Sequence, residues 1–391
     1  MQDLSLRSIY ITLASLIPFI KVFTQYCRVH ISESFAMTVG SMLIYLCIIL
    51  ALFLILQTKK YFNDYLKIVF RIFVIYVVLF FLQITLTPST TQVYQHISTF
   101  VFIGIGAFTV GYALNDIPLY IKKVGVISII LELIFITEPI TNTLLSEDNM
   151  VLGYTLAPIC IYGLLYSSLY GSKLVKYLAF ISCLPVILFT SRGCGLSILM
   201  FYLISLVWNK SLSKKCGIAI GVLSLIVVWL ATTYLAGTGI DTSSGSVVGK
   251  LTNGMLTDNN GRDYLLELGM AIVVENPWNG IGIDGDIDLL GKIVDNYPFI
   301  HNVIVELFMD FGIPVALLLI YLYFKPIYKL IRTWGPGYQT LFIIALLCSV
   351  WIRLFFSDSY INNMYNIMFL FGVVLGISRE KQVSIVKQQI I

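Results

Sequence analysis

A histidine at the junction of a polar and an apolar stretch is the first candidate for chemistry in this chain. His301 stands in "PFIHNVIVELFMDFGIP" (298–314) and is one of only three histidines. On a helix that begins here, Asn302, Glu306 and Asp310 recur every four residues and so share one face. An imidazole can act as a general base near neutral pH, and acids in a membrane helix mark a cavity or a pathway. We therefore predict that this face points towards protein or water and away from lipid.

Three arginines that could bind an anion fall on the same predicted side as the histidine. Arg192 lies in "LFTSRGCGLS", where two apolar runs meet almost without a loop, Arg262 opens "RDYLLELGMAIVVENPW", and Arg353 ends a later apolar run. A guanidinium suits bidentate binding of phosphate, and a nearby base can deprotonate a nucleophile. This set of residues suits an anionic lipid that carries pyrophosphate and a sugar. The alternatives are arginines that reach to the headgroups and a His301 that merely begins a helix.

The composition requires a membrane to position these residues. Of 391 residues, 58% are hydrophobic and 12% are charged, and the mean hydropathy is +0.89, whereas about a quarter of the residues in a soluble domain are charged. A bilayer is spanned by about 20 apolar residues. We count twelve candidate spans, near 8–23, 37–56, 66–86, 98–114, 118–137, 151–170, 174–190, 193–208, 217–236, 303–324, 338–356 and 363–377.

These runs predict an all-α polytopic membrane protein in three parts. Residues 1–236 hold nine helices, residues 237–302 form one large extracytoplasmic loop, and residues 303–391 hold three more helices and a tail. Most of the 25 lysines and arginines fall in alternate connections, and such residues accumulate in cytoplasmic loops. Both termini are therefore predicted to be cytoplasmic. The net charge of +4 follows from this bias and does not indicate a nucleic-acid partner.

The large loop begins with a Ser/Thr/Gly-rich stretch and then predicts one short helix. Asn259 and Asn260 are candidate caps, and "ENPW" (275–278) stops the apolar run that follows. At about 13 residues this helix is too short to span a bilayer. We expect it to lie along the outer interface or in the mouth of the bundle, with Trp278 at the depth of the headgroups.

Two further patterns in the loop resemble known motifs only in part. "GIGIDG" (280–285) fits G-x-G-x-x-G, but no βαβ unit surrounds it. The aspartates of "DGDID" (284–288) have calcium-loop spacing, but Leu289 stands where that loop needs glycine, so a solvated acidic loop is favoured over a cation site. The seven cysteines show no metal-binding spacing and are interpreted as packing residues.

The order of the motifs resembles a known family. "TSRG" (190–193), "GRDYLLELGMAIVVENPWNGIGI" (261–283), "YPFIHNVIVELFMDFGI" (297–313) and "FFSDSYINNMYNIMFLFGVVLG" (355–376) resemble the corresponding parts of the superfamily of O-antigen ligases and O-antigen or capsule polymerases. In detail the resemblance covers about half of the chain. The earlier helices match by topology alone.

The resemblance implies a membrane glycosyltransferase of the C type in the bacterial inner membrane, which moves a glycan from undecaprenyl pyrophosphate to an acceptor hydroxyl. By analogy, Arg192 and Arg262 would bind the donor pyrophosphate and stabilise the leaving group, while His301 would orient or deprotonate the acceptor. The other expected substrate contacts are Arg353, Asn302, Tyr297 and Glu306. No metal and no cofactor are expected. The expected partners are lipid-linked oligosaccharides and membrane lipid, with a chain-length regulator protein as a further candidate.

One departure from the family pattern favours a polymerase. Ligases often carry a second histidine close before the one at the helix start, whereas this chain reads "NYPFIH". A ligase that transfers the polymer to lipid A core is the first alternative. A flippase of lipid-linked oligosaccharides is the second, although transporters commonly contain internal repeats and the first six helices show no repeat in the second six. His30 and His96 are interpreted as bystanders.

Overall fold

The chain was analysed as a computed structural model. It describes residues 2–83, 86, 97–146, 148–208, 262–283, 285, 289, 300, 302–335, 337–356, 359–361 and 363–390. Every regular element in this part is helical, as the predicted all-α class requires. Five helical segments among the described residues are long and apolar enough to cross a membrane: Leu6–His30, Glu33–Leu56, Val151–Tyr170, Ile313–Trp334 and Tyr338–Phe355.

The described residues up to position 208 form ten α-helices. They are α1 (Gln2–Ala14), α2 (Ile20–His30), α3 (Glu33–Leu56), α4 (Lys59–Gln83), α5 (Ile105–Ala113), α6 (Ile117–Phe135), α7 (Glu138–Thr141), α8 (Asn149–Tyr170), α9 (Lys173–Phe189) and α10 (Arg192–Trp208). A 3₁₀ turn (Ile17–Phe19) joins α1 to α2, and a π-helical turn (Thr99–Gly104) leads into α5. Polar caps set several of these starts: the side chain of Asp116 accepts from the Leu119 N–H, and that of Ser172 from the Val175 N–H.

From position 262 onward, the described residues form five more α-helices: α11 (Arg262–Glu275), α12 (Val303–Phe311), α13 (Ile313–Trp334), α14 (Tyr338–Phe356) and α15 (Met364–Ile390). The predicted ninth span, 217–236, lies outside the described residues. The tenth predicted span, 303–324, is wrong as a single helix, because α12 ends at Phe311 and α13 begins at Ile313. Gly312 separates them with φ 73°, a conformation that L-residues rarely adopt.

The helices form two compact units. The first comprises Met1–Ile44, Asp116–Asp258 and Pro336–Arg353, and the second comprises Tyr45–Asn115, Asn259–Gly335 and Leu354–Ile391. In the first unit, α6 and α8 come into close contact because a glycine removes the side chain between them. A Cβ on Gly125 would lie 2.3 Å from the Cβ of Tyr166.

In the second unit, α5 and α15 pack backbone to backbone. A Cβ on Gly111 would lie 2.2 Å from the carbonyl oxygen of Phe369, and one on Gly372 would lie 2.2 Å from that of Phe108. Small residues that let backbones approach are the usual means of joining helices in a membrane, where no hydrophobic force drives them together. The same unit contains α11, α12 and α13, which carry most of the predicted site.

Candidate functional site

The start of α12 is fixed by its own cap. Asn302 Oδ1 accepts hydrogen bonds from the backbone N–H groups of Ile304 (3.1 Å) and Val305 (3.3 Å), which satisfies donors that the helix itself leaves unpaired. His301 and Tyr297 lie outside the described residues. The described neighbours of position 301 are Asn302, which is half-buried, and Ile300, which is 2% exposed. Because the Asn302 side-chain oxygen caps the helix, the predicted contact of Asn302 with substrate would be made by its amide nitrogen.

The short helix of the large loop packs on α12, as part of one apolar cluster. The buried members of the cluster are Leu265, Ile272, Val273, Ile300, Val305 and Met309. Contact is close at Gly269, where a Cβ would lie 2.3 Å from Ile300 Cδ1 and 3.0 Å from Val305 Cγ1. The predicted helix is thereby confirmed, and at 14 residues it is too short to span a bilayer.

The turn after α11 docks on the break between α12 and α13. The Ile281 N–H donates to the Met309 carbonyl (2.7 Å), and the Ile313 N–H donates to the Pro277 carbonyl (2.8 Å). A Cβ on Gly312 would lie 2.3 Å from the Trp278 carbonyl oxygen. The Trp278 side chain itself is 74% exposed, and its place at the depth of the headgroups stays a prediction.

These contacts also give the direction of α11. Gly269 lies beside Ile300 and Val305, and the later Pro277 lies beside Ile313, so the two helices run the same way. Arg262, the first residue of α11, is consequently at the end of that helix where α12 also begins. The Arg262 side chain is outside the described part, and only its place on the helix is given.

Two buried carboxylates on α12 bind the loop that follows α14. Ser359 Oγ donates to Glu306 Oε1, the Tyr360 N–H donates to Glu306 Oε2 (3.3 Å), and the Tyr360 hydroxyl donates to Asp310 Oδ2 (2.7 Å). Glu306 is 2% exposed and Asp310 is 0% exposed. The prediction that this face avoids lipid is confirmed, but sequence reasoning missed its partners.

Arg353 is held by an aromatic ring in the first unit. Its guanidinium carbon lies 5.1 Å from the centroid of the Tyr154 ring, a distance at which a cation and an aromatic face attract each other. Such a contact fixes the plane of the guanidinium, and the N–H groups at the edge of that plane point away from the ring.

The same turn of α8 also touches the start of α10. Cys194 Sγ donates to the Gly153 carbonyl (3.0 Å), and a Cβ on Gly153 would lie 2.7 Å from Thr190 Oγ1. Since Tyr154 follows Gly153, the structure brings Arg353 to the same turn of α8 as the "TSRG" segment. Arg192 is the first residue of α10, and its side chain is outside the described part.

The predicted site residues therefore divide into two groups. Arg192 and Arg353 belong to the first unit, whereas Arg262, Asn302 and Glu306 belong to the second. Within each unit the structure brings the named segments together.

A third polar group, in the first unit, was not predicted as a cluster. Ligand atoms of Glu132, Cys160 and Cys183, all buried, lie within 4.8 Å of one another. Glu132 Oε1 accepts hydrogen bonds from Ser182 Oγ (2.7 Å) and Cys183 Sγ (3.3 Å). A carboxylate and two thiols are a donor set that zinc can use. The hydrogen bonds to Glu132 stabilise its carboxylate in the buried space between apolar helices. Their separations along the chain gave no sequence signal.

Comparison with known proteins gives one match. The family described as O-antigen ligase matches residues 177–320, a span from α9 through α13 that includes the large loop. No curated protein and no solved structure proved similar to the chain. The match includes the motifs at 190–193, 261–283 and 297–313. It confirms their resemblance to the superfamily of O-antigen ligases and polymerases, whose members are membrane glycosyltransferase-like enzymes acting on lipid-linked oligosaccharides. The fourth motif, 355–376, lies outside the matched residues.

Proposed function

We propose that this chain, whose residues 177–320 match the O-antigen ligase family, is a polymerase of the bacterial inner membrane. It would join oligosaccharide repeat units that are linked to undecaprenyl pyrophosphate, at the outer face of the membrane. The energy for each transfer would come from the bond between the sugar and the lipid pyrophosphate. No nucleotide, metal or other cofactor is needed for such a transfer.

The proposed roles follow from charge and proton chemistry. Arg192 and Arg262 bind the donor pyrophosphate and stabilise the charge that develops as it leaves. His301 takes the proton of the acceptor hydroxyl as that oxygen attacks the sugar carbon. Arg353 supplies a further cation for a second lipid-linked substrate, and Asn302, Tyr297 and Glu306 belong to the substrate-binding wall near the start of α12.

One observation supports this assignment most strongly. The helices α11 and α12 pack in the same direction, with Gly269 against Ile300 and Val305. A helix that begins with Arg262 and one that begins just after His301 then have their first turns at the same end. A cation for a leaving group and a base for a nucleophile are useful to a transferase only when they share one site.

The choice of a polymerase over a ligase rests on two features of the sequence. A single histidine stands in "NYPFIH" (296–301), and three arginines besides Arg28 lie on the predicted outer side. A polymerase binds two pyrophosphate lipids at once, so additional cations serve a purpose. A ligase uses the same donor with lipid A core as its acceptor, and the matched family includes both activities.

Deletion of the coding sequence separates the three candidate functions. Surface polysaccharide is extracted from the deletion strain and run on a gel beside the complemented strain. A polymerase predicts loss of the ladder with a single repeat unit still attached to its anchor. Long lipid-linked chains that never reach the anchor would indicate a ligase instead. Repeat units trapped on the cytoplasmic leaflet would overturn both and support a flippase.

A further inference from the structure

The loop between α14 and α15 is docked on α12 by side chains of both elements. All polar atoms of this contact are buried: Ser359 is 2% exposed and Tyr360 is 7% exposed. Both carboxylate oxygens of Glu306 accept from the loop, one from a hydroxyl and one from a backbone N–H. A carboxylate whose two oxygens both accept hydrogen bonds from the protein is poorly suited to remove a proton from a substrate.

Asp310 completes the docking one turn further along α12. It accepts the Tyr360 hydroxyl at 2.7 Å, and the Tyr360 ring lies 6.3 Å from the ring of Phe311. Hydrogen bonds to charged groups are about twice as strong as neutral ones, and in a buried setting they fix a single geometry. The chain at Ser359 and Tyr360 is therefore held at a defined height along α12.

The loop also organises itself around Ser359. Its hydroxyl accepts the Ile361 N–H (3.2 Å), and its carbonyl accepts the side-chain amide of Asn363 (3.2 Å). Asn363, 3% exposed, directly precedes α15. The contact with α12 thus determines where the last helix begins as well as where the loop lies.

We propose that Glu306 and Asp310 are positioning residues, which hold Ser359 and Tyr360 against α12 and thereby set the wall that a lipid-linked glycan meets near the start of that helix. The expected effect on turnover rests on the proposed transferase function. The position of the loop rests on the buried contacts alone. The positioning role deepens the substrate-binding role given to Glu306: the carboxylate acts on the substrate through the loop. A displacement of about 1 Å in such a wall can lower turnover by about a hundredfold.

Removal of one hydroxyl tests the proposal with a matched control. Tyr360→Phe deletes the bond to Asp310, whereas Tyr323→Phe deletes a tyrosine hydrogen bond elsewhere in the same unit, from the Tyr323 hydroxyl to the neutral Ile367 carbonyl (2.9 Å). In proteoliposomes supplied with lipid-linked repeat units, Tyr360→Phe should lower kcat by about tenfold or more relative to Tyr323→Phe. The two variants should have the same thermal stability. Equal turnover of the two variants would overturn the positioning role. The double variant Asp310→Asn, Tyr360→Phe should be no worse than the more impaired single variant, because Asp310→Asn weakens the same contact that Tyr360→Phe removes.

The position of the loop is measured independently of activity. Ile361→Cys, introduced with and without Glu306→Gln, is labelled in intact spheroplasts with a membrane-impermeant maleimide. The labelling rate should rise at least fivefold when Glu306 becomes glutamine, and Glu306→Asp should restore it in part. An unchanged rate, with activity lost, would overturn the proposal and leave Glu306 in direct contact with substrate. If deletion of the protein left the polysaccharide ladder intact, the proposed function would fail while this labelling result still stood.

Discussion

At the residue scale, three charged side chains of the predicted site each have a specific neighbour in the described part. Glu306 and Asp310 meet Ser359 and Tyr360, and Arg353 meets the Tyr154 ring. A charge in a membrane helix is costly unless it has partners or lines a cavity. The spacing of the acids predicted a buried polar face, but their partners lie 50 or more residues away in sequence. No local pattern reports a contact of that kind.

Alanine in place of the predicted base or the predicted donor cation should abolish the polymer. We expect His301→Ala and Arg192→Ala each to remove the ladder at normal expression, since proton transfer and leaving-group stabilisation each contribute about a hundredfold or more to such reactions. His96→Ala is the matched control, because the sequence assigns that histidine no catalytic role. Its ladder should be normal. Full activity of His301→Ala would remove the proposed mechanism.

At the element scale, the break between α12 and α13 is the feature on which the site depends. The turn after α11 inserts against it through the bonds of Ile281 and Ile313. The hydropathy pattern predicted a single span here, because the residues on both sides of Gly312 are apolar. The local signal was nevertheless present as "FGIP": glycine ends helices, and Pro314 stands in the first turn of the next one. The short helix α11 was predictable because caps and the "ENPW" stop are local.

Substitution at the break should loosen the large loop. Gly312 and Gly335 both have positive φ, 73° and 61°, but a Cβ meets the Trp278 carbonyl only at Gly312, with nothing within 4 Å at Gly335. Gly335→Ala then carries only the conformational cost, about 1–3 kcal/mol, and Gly312→Ala adds a steric clash. Heating the detergent-solubilised protein before size-exclusion chromatography should show a lower Tm for Gly312→Ala than for Gly335→Ala. Equal Tm values would contradict the docking of Trp278 on the break.

At the scale of the whole molecule, the predicted all-α class agrees with the described residues, whose regular elements are all helical and include five helices long and apolar enough to cross a membrane. The composition made this class predictable, because an apolar fraction of 58% cannot be buried in a soluble core with so few charges. The proximity of segments within each unit was not predictable in this way. It depends on glycine contacts such as Gly153 with Thr190, which hydropathy does not encode.

Reporter fusions test the predicted orientation. Alkaline phosphatase is active only outside the cytoplasm, so a fusion after residue 250, in the large loop, should be active. Fusions after residue 172 and after residue 391 should be inactive, because lysine and arginine hold those connections inside. Activity of the C-terminal fusion would show that the count of twelve spans, or the cytoplasmic C-terminus, is wrong.

As a polymerase, the protein should join lipid-linked repeat units without any other protein. To test this, the purified protein is reconstituted in proteoliposomes with one lipid-linked repeat unit as its only substrate, and the products are followed by mass spectrometry. We expect lipid-linked dimers and longer chains, with release of undecaprenyl pyrophosphate and no effect of EDTA. A substrate that stays intact until lipid A core is added, and is then transferred to it, would overturn the polymerase assignment and identify a ligase.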